Sequence, residues 1–197
     1  MLKTVRAKVE NYWTLTKKLL ALMSVWGLIF SLVTIGRFGV AFDYDDTLVF
    51  STPAFAKGFA SSPQPFSPQF WAVVNQSYDV EEAKVIPCAL AWAFRLFGFK
   101  VAIIAARPDS GGEALKKEWR RLVGKGQFIF AGDKSNKHKH LQGGNYVLYF
   151  GDSDSDMSEA RKARVFSVRI RRSPKSTYKE DYAPGSLGEL VIPFSEY

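Results

Sequence analysis

Phe38-Gly39-Val40-Ala41-Phe42-Asp43-Tyr44-Asp45-Asp46-Thr47-Leu48 is the stretch on which the fold turns. A short apolar run stops abruptly at acidic residues, the pattern of a buried strand emptying into a polar loop. The same pattern recurs at Tyr146-Val147-Leu148-Tyr149-Phe150-Gly151-Asp152-Ser153-Asp154-Ser155-Asp156. Between them, Val101-Ala102-Ile103-Ile104-Ala105 and Gln127-Phe128-Ile129-Phe130 read as further buried strands, and residues 165–170 add another after the second acidic run. Helical patterns separate these strands. Residues 87–97 open with a proline and stop at Gly98, residues 113–123 stop at Gly124, and residues 155–163 follow the second acidic run. Strands alternating with helices imply a parallel sheet covered on both faces, a Rossmann-like α/β fold. In such sheets chemistry gathers at the carboxyl ends of the strands, where both acidic runs fall.

Residues 51–70 are rich in proline and serine, and predict an irregular flap rather than a helix. Upstream, Leu19 to Gly36 is free of charge and apolar on all sides, rising about 27 Å as a helix. Lys17 and Lys18 close its front, which directs the N-terminus to the cytoplasm and the rest outward. No Ala-x-Ala site follows, so an uncleaved anchor is favoured over a cleaved leader. A helix buried in the soluble fold is the remaining alternative. The expected division is 1–36 as a signal-anchor and 37–197 as the α/β domain.

The net charge of +8 over 197 residues is shared between this front segment and the rest, so it does not call for a nucleic-acid polymer as partner. The single Cys88 excludes an internal disulfide and a cysteine-zinc cluster, and its apolar neighbours favour a buried thiol.

Carboxylates gathered from two strand ends repel one another unless a hard cation joins them, and all-oxygen donors favour magnesium over zinc. The ordinary alternative is that Ser155 or Asp156 merely caps the helix behind.

The Asp43-x-Asp45-x-Thr47 pattern after a strand resembles the haloacid dehalogenase phosphatases. The longer stretches FDYDDTLVFSTPAF, IFAGDK, YFGDSDSDM and STYK…GELVIPFSEY resemble the class B acid phosphatases of the bacterial periplasm. The resemblance covers roughly residues 37–197 and implies a small flap in place of a large cap. It assigns Asp43 as nucleophile and Asp45 as acid and base. It places Mg2+ on Asp43, the Asp45 carbonyl and Asp152, with Asp156 in support, and makes Lys137 the bridging ammonium. Ala106 and Arg107 would contact the phosphoryl group, and Phe55, Trp71 and Tyr178 would line the leaving-group pocket. His138 and His140 match no site of the family and read as exposed loop histidines.

One position departs from the pattern. Ala105 stands where the family carries a hydroxyl, which predicts a slower enzyme. The implied activity is hydrolysis of small phosphomonoesters, nucleotides included, with transfer to alcohols as a side reaction and a homotetramer or other homo-oligomer as the assembly. The alternative is a membrane-tethered phosphate-ester binding protein with a decayed site.

Overall fold

The computed structural model describes residues 2–177 and 181–197, so Tyr178 lies outside the described residues. Six parallel strands form one sheet: β1 (Gly39–Phe42), β4 (Lys100–Ala105), β5 (Phe128–Phe130), β6 (Tyr146–Gly151), β7 (Phe166–Ile170) and β8 (Leu190–Ile192). Their order is β5-β4-β1-β6-β7-β8. β1 and β6 are therefore neighbours, and both acidic runs leave the sheet at the same edge. Phe42 stacks on Phe150 across this pair, with ring centroids 4.6 Å apart. Side chains alternate between two buried layers. Val40, Phe42, Ile103 and Phe150 fill one side, while Ala41, Ile104 and Tyr149 fill the other. Burial on both faces is the reason these strands read as continuous apolar runs.

The helices covering the sheet are α4 (Val85–Leu96), α5 (Glu113–Glu118), α6 (Arg120–Val123), α7 (Lys137–Gln142) and α8 (Asp154–Lys162). The predicted single helix over 113–123 is broken at Trp119 into α5 and α6. β8 adds an edge strand that apolar periodicity did not mark.

The flap is present, but its interior corrects the expectation of irregular structure. Residues 51–70 contribute α2 (Thr52–Ser61) and the start of α3 (Pro68–Gln76). Pro53 and Pro68 stand in first turns, where a missing N–H costs nothing, and the Ser67 hydroxyl accepts from Phe70 N. The prolines begin helices here. An antiparallel pair of short strands, β2 (Val49–Phe50) and β3 (Glu82–Ala83), closes the base of the flap beside the β1 loop. Beneath it, the buried Lys84 ammonium donates to the carbonyls of Asp46 and Arg171 at 2.7 and 2.6 Å. Burial pulls its pKa down to about 8.

α1 (Leu2–Ile35) stands largely outside this core. Its segment Glu10–Ile35 is long and apolar enough to cross a membrane, with mean hydropathy 2.0 and only 6% of the most apolar window buried. It is therefore not a core helix of the soluble fold.

Candidate active site

The β1 backbone delivers Asp43 to the sheet edge, where Asp43 N donates to the Phe150 carbonyl at 2.7 Å. The chain then turns sharply. Asp46 takes φ 53°, a left-handed value that Asp tolerates better than most residues. The turn brings Thr47 back between the strand ends, with its hydroxyl 3.4 Å from Asp43 Oδ2 and 3.2 Å from Asp152 Oδ1. Asp152 comes from the end of β6. Candidate ligand oxygens of Asp43, Asp152 and Asp156 all lie within 4.8 Å of one another, and all three residues are buried.

Lys137, at the start of α7, supplies the counter-charge. Its ammonium donates to Asp43 Oδ1 at 2.5 Å and to Asp156 Oδ1 at 2.7 Å. Burial opposes the Lys137 charge, but the Asp156 and Asp43 carboxylates outweigh it and hold its pKa above the usual lysine value. Asp43 is pushed well up, first by burial and then by Asp156. Burial likewise raises Asp152 to about 6 against the pull of Arg172, whose Nε donates to Asp152 Oδ2 at 2.5 Å. Asp156 is lowered despite its burial, because Lys137 and Ser153 both donate to it.

Asp156 is fully used by its neighbours. Oδ1 accepts from Lys137 and from the Tyr149 hydroxyl at 2.9 Å, and Oδ2 accepts from the Ser153 hydroxyl and backbone N–H. Ser153, not Ser155, caps α8, and Asp156 closes a reciprocal capping box with it. The helix-capping reading and the functional one are thus both satisfied by the same residue. With its lone pairs committed, Asp156 steadies Lys137, while Asp43 and Asp152 remain the carboxylates best placed to hold a cation. This donor set suits a divalent hard ion: oxygen-only, buried, and with the Asp43 charge disfavoured by its surroundings.

Asp45 lines the same cleft as this cluster, with its carboxylate held by Arg107. Both its oxygens accept from Arg107, Oδ1 at 2.6 Å from Nη2 and Oδ2 at 3.0 Å from Nε. Arg107 is itself buried and also donates to Glu81 Oε1 at 2.5 Å, while the Tyr44 hydroxyl donates to Glu81 Oε2. The Arg107 guanidinium lies 4.9 Å from the centroid of the Tyr44 ring and 5.3 Å from that of Phe55.

A cleft of about 740 Å3 opens over these groups, lined by Asp43, Asp45, Ala106, Arg107, Lys137 and Asp152. Phe55 and Trp71 form part of its wall with centroids 5.8 Å apart, and Phe59 and Phe66 extend the wall to the rim. Ala105 is fully buried in the apolar layer with Phe42 and Ile103.

The histidines differ from expectation. Both lie on α7 rather than in an exposed loop; His138 is half-buried, with Nδ1 2.6 Å from Glu159 Oε2. Cys88 is partly buried against the apolar layer rather than fully enclosed, and burial raises its thiol to about 11. Sequence reasoning missed Glu81, Tyr149 and Arg172. Their partners are fixed by tertiary folding, and nothing local to them signals it.

Sheet order, acidic strand ends and a small flap together give a fold of the haloacid dehalogenase type. The solved structures of a dehalogenase and of a putative beta-phosphoglucomutase from Thermotoga maritima share the fold. Their TM-scores are 0.53 and 0.52 at 14% and 15% identity, over 81% and 80% of this chain and 95% of each of theirs. No family model matches the chain. Class B acid phosphatases from Klebsiella pneumoniae and Proteus mirabilis are each 32% identical to it over 172 residues, covering 80% of this chain and 73% of theirs. The same description belongs to a Morganella morganii relative at 31% identity over the same span. The chain belongs to the class B acid phosphatases.

Proposed function

We propose that the protein hydrolyses small organic phosphomonoesters, nucleotides among them, through a phosphoryl group carried on Asp43. The observation that carries this reading is the Lys137 ammonium set against Asp43, with Asp152 across the same pocket. Attack by an Asp43 oxygen on phosphorus forms the aspartyl-phosphate and breaks the bond to the leaving oxygen. Asp45 gives that oxygen its proton, so the first product is a neutral alcohol. Asp45 then takes a proton from water as its oxygen attacks phosphorus, releasing inorganic phosphate and restoring the Asp43 carboxylate. Because Arg107 grips both Asp45 oxygens, at least one of these bonds must open before Asp45 can donate. An alcohol in place of water would give phosphotransfer.

Asp43, the Asp45 carbonyl and Asp152 would hold Mg2+, which when bound offsets the repulsion between a dianionic phosphate and an anionic nucleophile. Lys137 keeps Asp43 oriented and shares that charge. Arg107 and the Ala106 backbone are assigned to the phosphoryl group, and Phe55 and Trp71 to stacking on the organic moiety. Residues 1–36 are assigned as a retained inner-membrane anchor, residues 37–197 as a domain in the bacterial periplasm, and a homo-oligomer, a tetramer as in the family, as the assembly.

The test is hydrolysis of p-nitrophenyl phosphate by the detergent-solubilised full chain with Mg2+, wild type against Asp43→Asn. Turnover by the wild type alone is expected. Equal inactivity of both with phosphate-ester binding retained would favour the binding-only reading, which rests on Ala105.

A further inference from the structure

The transition from α1 to the domain is very short. α1 ends at Ile35 and β1 begins at Gly39. Gly36, Arg37 and Phe38 do not form a free tether, because Gly36 N and Phe38 N donate to Leu32 and Val33 carbonyls and Asn145 Nδ2 donates to the Gly36 carbonyl at 2.8 Å. The turn joining α4 to β4 packs directly on α1. A methyl placed on Gly98, at φ 86°, would lie 2.8 Å from Thr34 Oγ1 and 3.1 Å from the Phe30 carbonyl.

This contact fixes a depth. Lys17 and Lys18 set the inner boundary of the uncharged stretch, which rises about 27 Å from Leu19 to Gly36, close to the ~30 Å of a hydrocarbon core. Ile35 then lies at the outer boundary. Phe30, five residues earlier, is about 7 Å deeper. Anything packed against Phe30 enters the bilayer with it. The residues beside Gly98 are suited to that position: Leu96 is 64% exposed and Phe97 39%. Phe38, just past the end of α1, is 39% exposed. Trp92 stands one turn above Leu96, with Arg95 within 5.9 Å of its ring, and the exposed Lys100 follows at the start of β4. Apolar tips ringed by tryptophan and basic groups match a bilayer interface, where rings sit at headgroup level and cations meet lipid phosphates.

We infer that the Leu96-Phe97-Gly98 turn is immersed in the outer leaflet beside α1, docking the amino-terminal ends of the strands on phospholipid. The opposite sheet edge, with the cleft, then faces away from the membrane. The inference rests on α1 being a retained anchor, and one experiment separates the two. Spin labels are placed singly at Leu28→Cys, Leu96→Cys, Phe97→Cys and Glu82→Cys, in a Cys88→Ala background. The full chain is reconstituted in phosphatidylethanolamine–phosphatidylglycerol vesicles, and collision with dissolved oxygen is compared with collision with an aqueous nickel complex. The oxygen-to-nickel ratio at 96 and 97 is expected to approach that at 28 and to exceed severalfold that at 82, which lies at the base of the flap. Labels at 96 and 97 as nickel-accessible as that at 82, with 28 still shielded, overturn the docking and spare the anchor. A nickel-accessible label at 28 overturns both.

Discussion

Replacing Lys137 by methionine keeps the side-chain length and removes the one ammonium between Asp43 and Asp156. Lys137 is only 3% exposed, and its two carboxylate partners are 5% and 1% exposed, so little solvent screening intervenes. Removing one member of a buried ion pair costs about 3–5 kcal/mol, because the remaining charges are left uncompensated. At roughly 2–4 °C per kcal/mol for a chain of this size, melting should fall by roughly 6–20 °C in EDTA at pH 7. The pH dependence has a definite sign. In the wild type Asp156 is held below its ordinary pKa, so it contributes stability above the unfolded value that is lost as pH falls through the folded one. In the variant the Lys137 share of that lowering is gone and only the Ser153 donors oppose burial, so both carboxylates take up protons more readily. The deficit relative to wild type should therefore shrink between pH 7 and pH 5, and Mg2+ should restore part of it at pH 7. Calorimetry of the solubilised full chain at the two pH values, with and without Mg2+, measures all three effects. A variant melting within a degree or two of wild type at pH 7 in EDTA would refute the claim that this ammonium holds the site together.

Asp43→Asn should abolish turnover and trapping of an acid-stable phosphoenzyme, both read with radiolabelled substrate. Metal affinity measured by calorimetric titration should weaken progressively below about pH 6, approaching tenfold per pH unit for each proton displaced, because Asp152 then binds a proton that the cation must remove. A flat profile from pH 7 to 5 would exclude Asp152 as a ligand. Glu81→Gln should leave Arg107 with one carboxylate partner fewer, costing on the order of 1–3 kcal/mol in urea unfolding and raising KM more than it lowers kcat.

The parts of the site legible in the sequence were those written in consecutive residues. Both acidic runs sit directly behind apolar strands, so their positions follow once the strands are recognised, and α/β alternation puts the strand ends on one edge. The neighbour relation of β1 and β6 follows only from the sheet order. The flap was misread because Pro53 and Pro68 are equally consistent with a broken helix and a starting one; the Ser67 cap decides for the latter. The break at Trp119 leaves no proline or glycine to announce it. Arg172 is 20 residues from Asp152 and inside a basic run, where any of several arginines could have been chosen. Glu81 has no local signal at all, since its partners Arg107 and Tyr44 arrive from the loops after β4 and β1.

The capping box at Ser153 and Asp156 has a consequence for how this enzyme can change. A substitution of Asp156 would fray the first turn of α8 and remove one of the two carboxylates that hold Lys137, while a substitution of Ser153 would loosen Asp156 itself. The start of α8 and the position of the Lys137 ammonium therefore depend on one carboxylate, so neither can be altered there without disturbing the other.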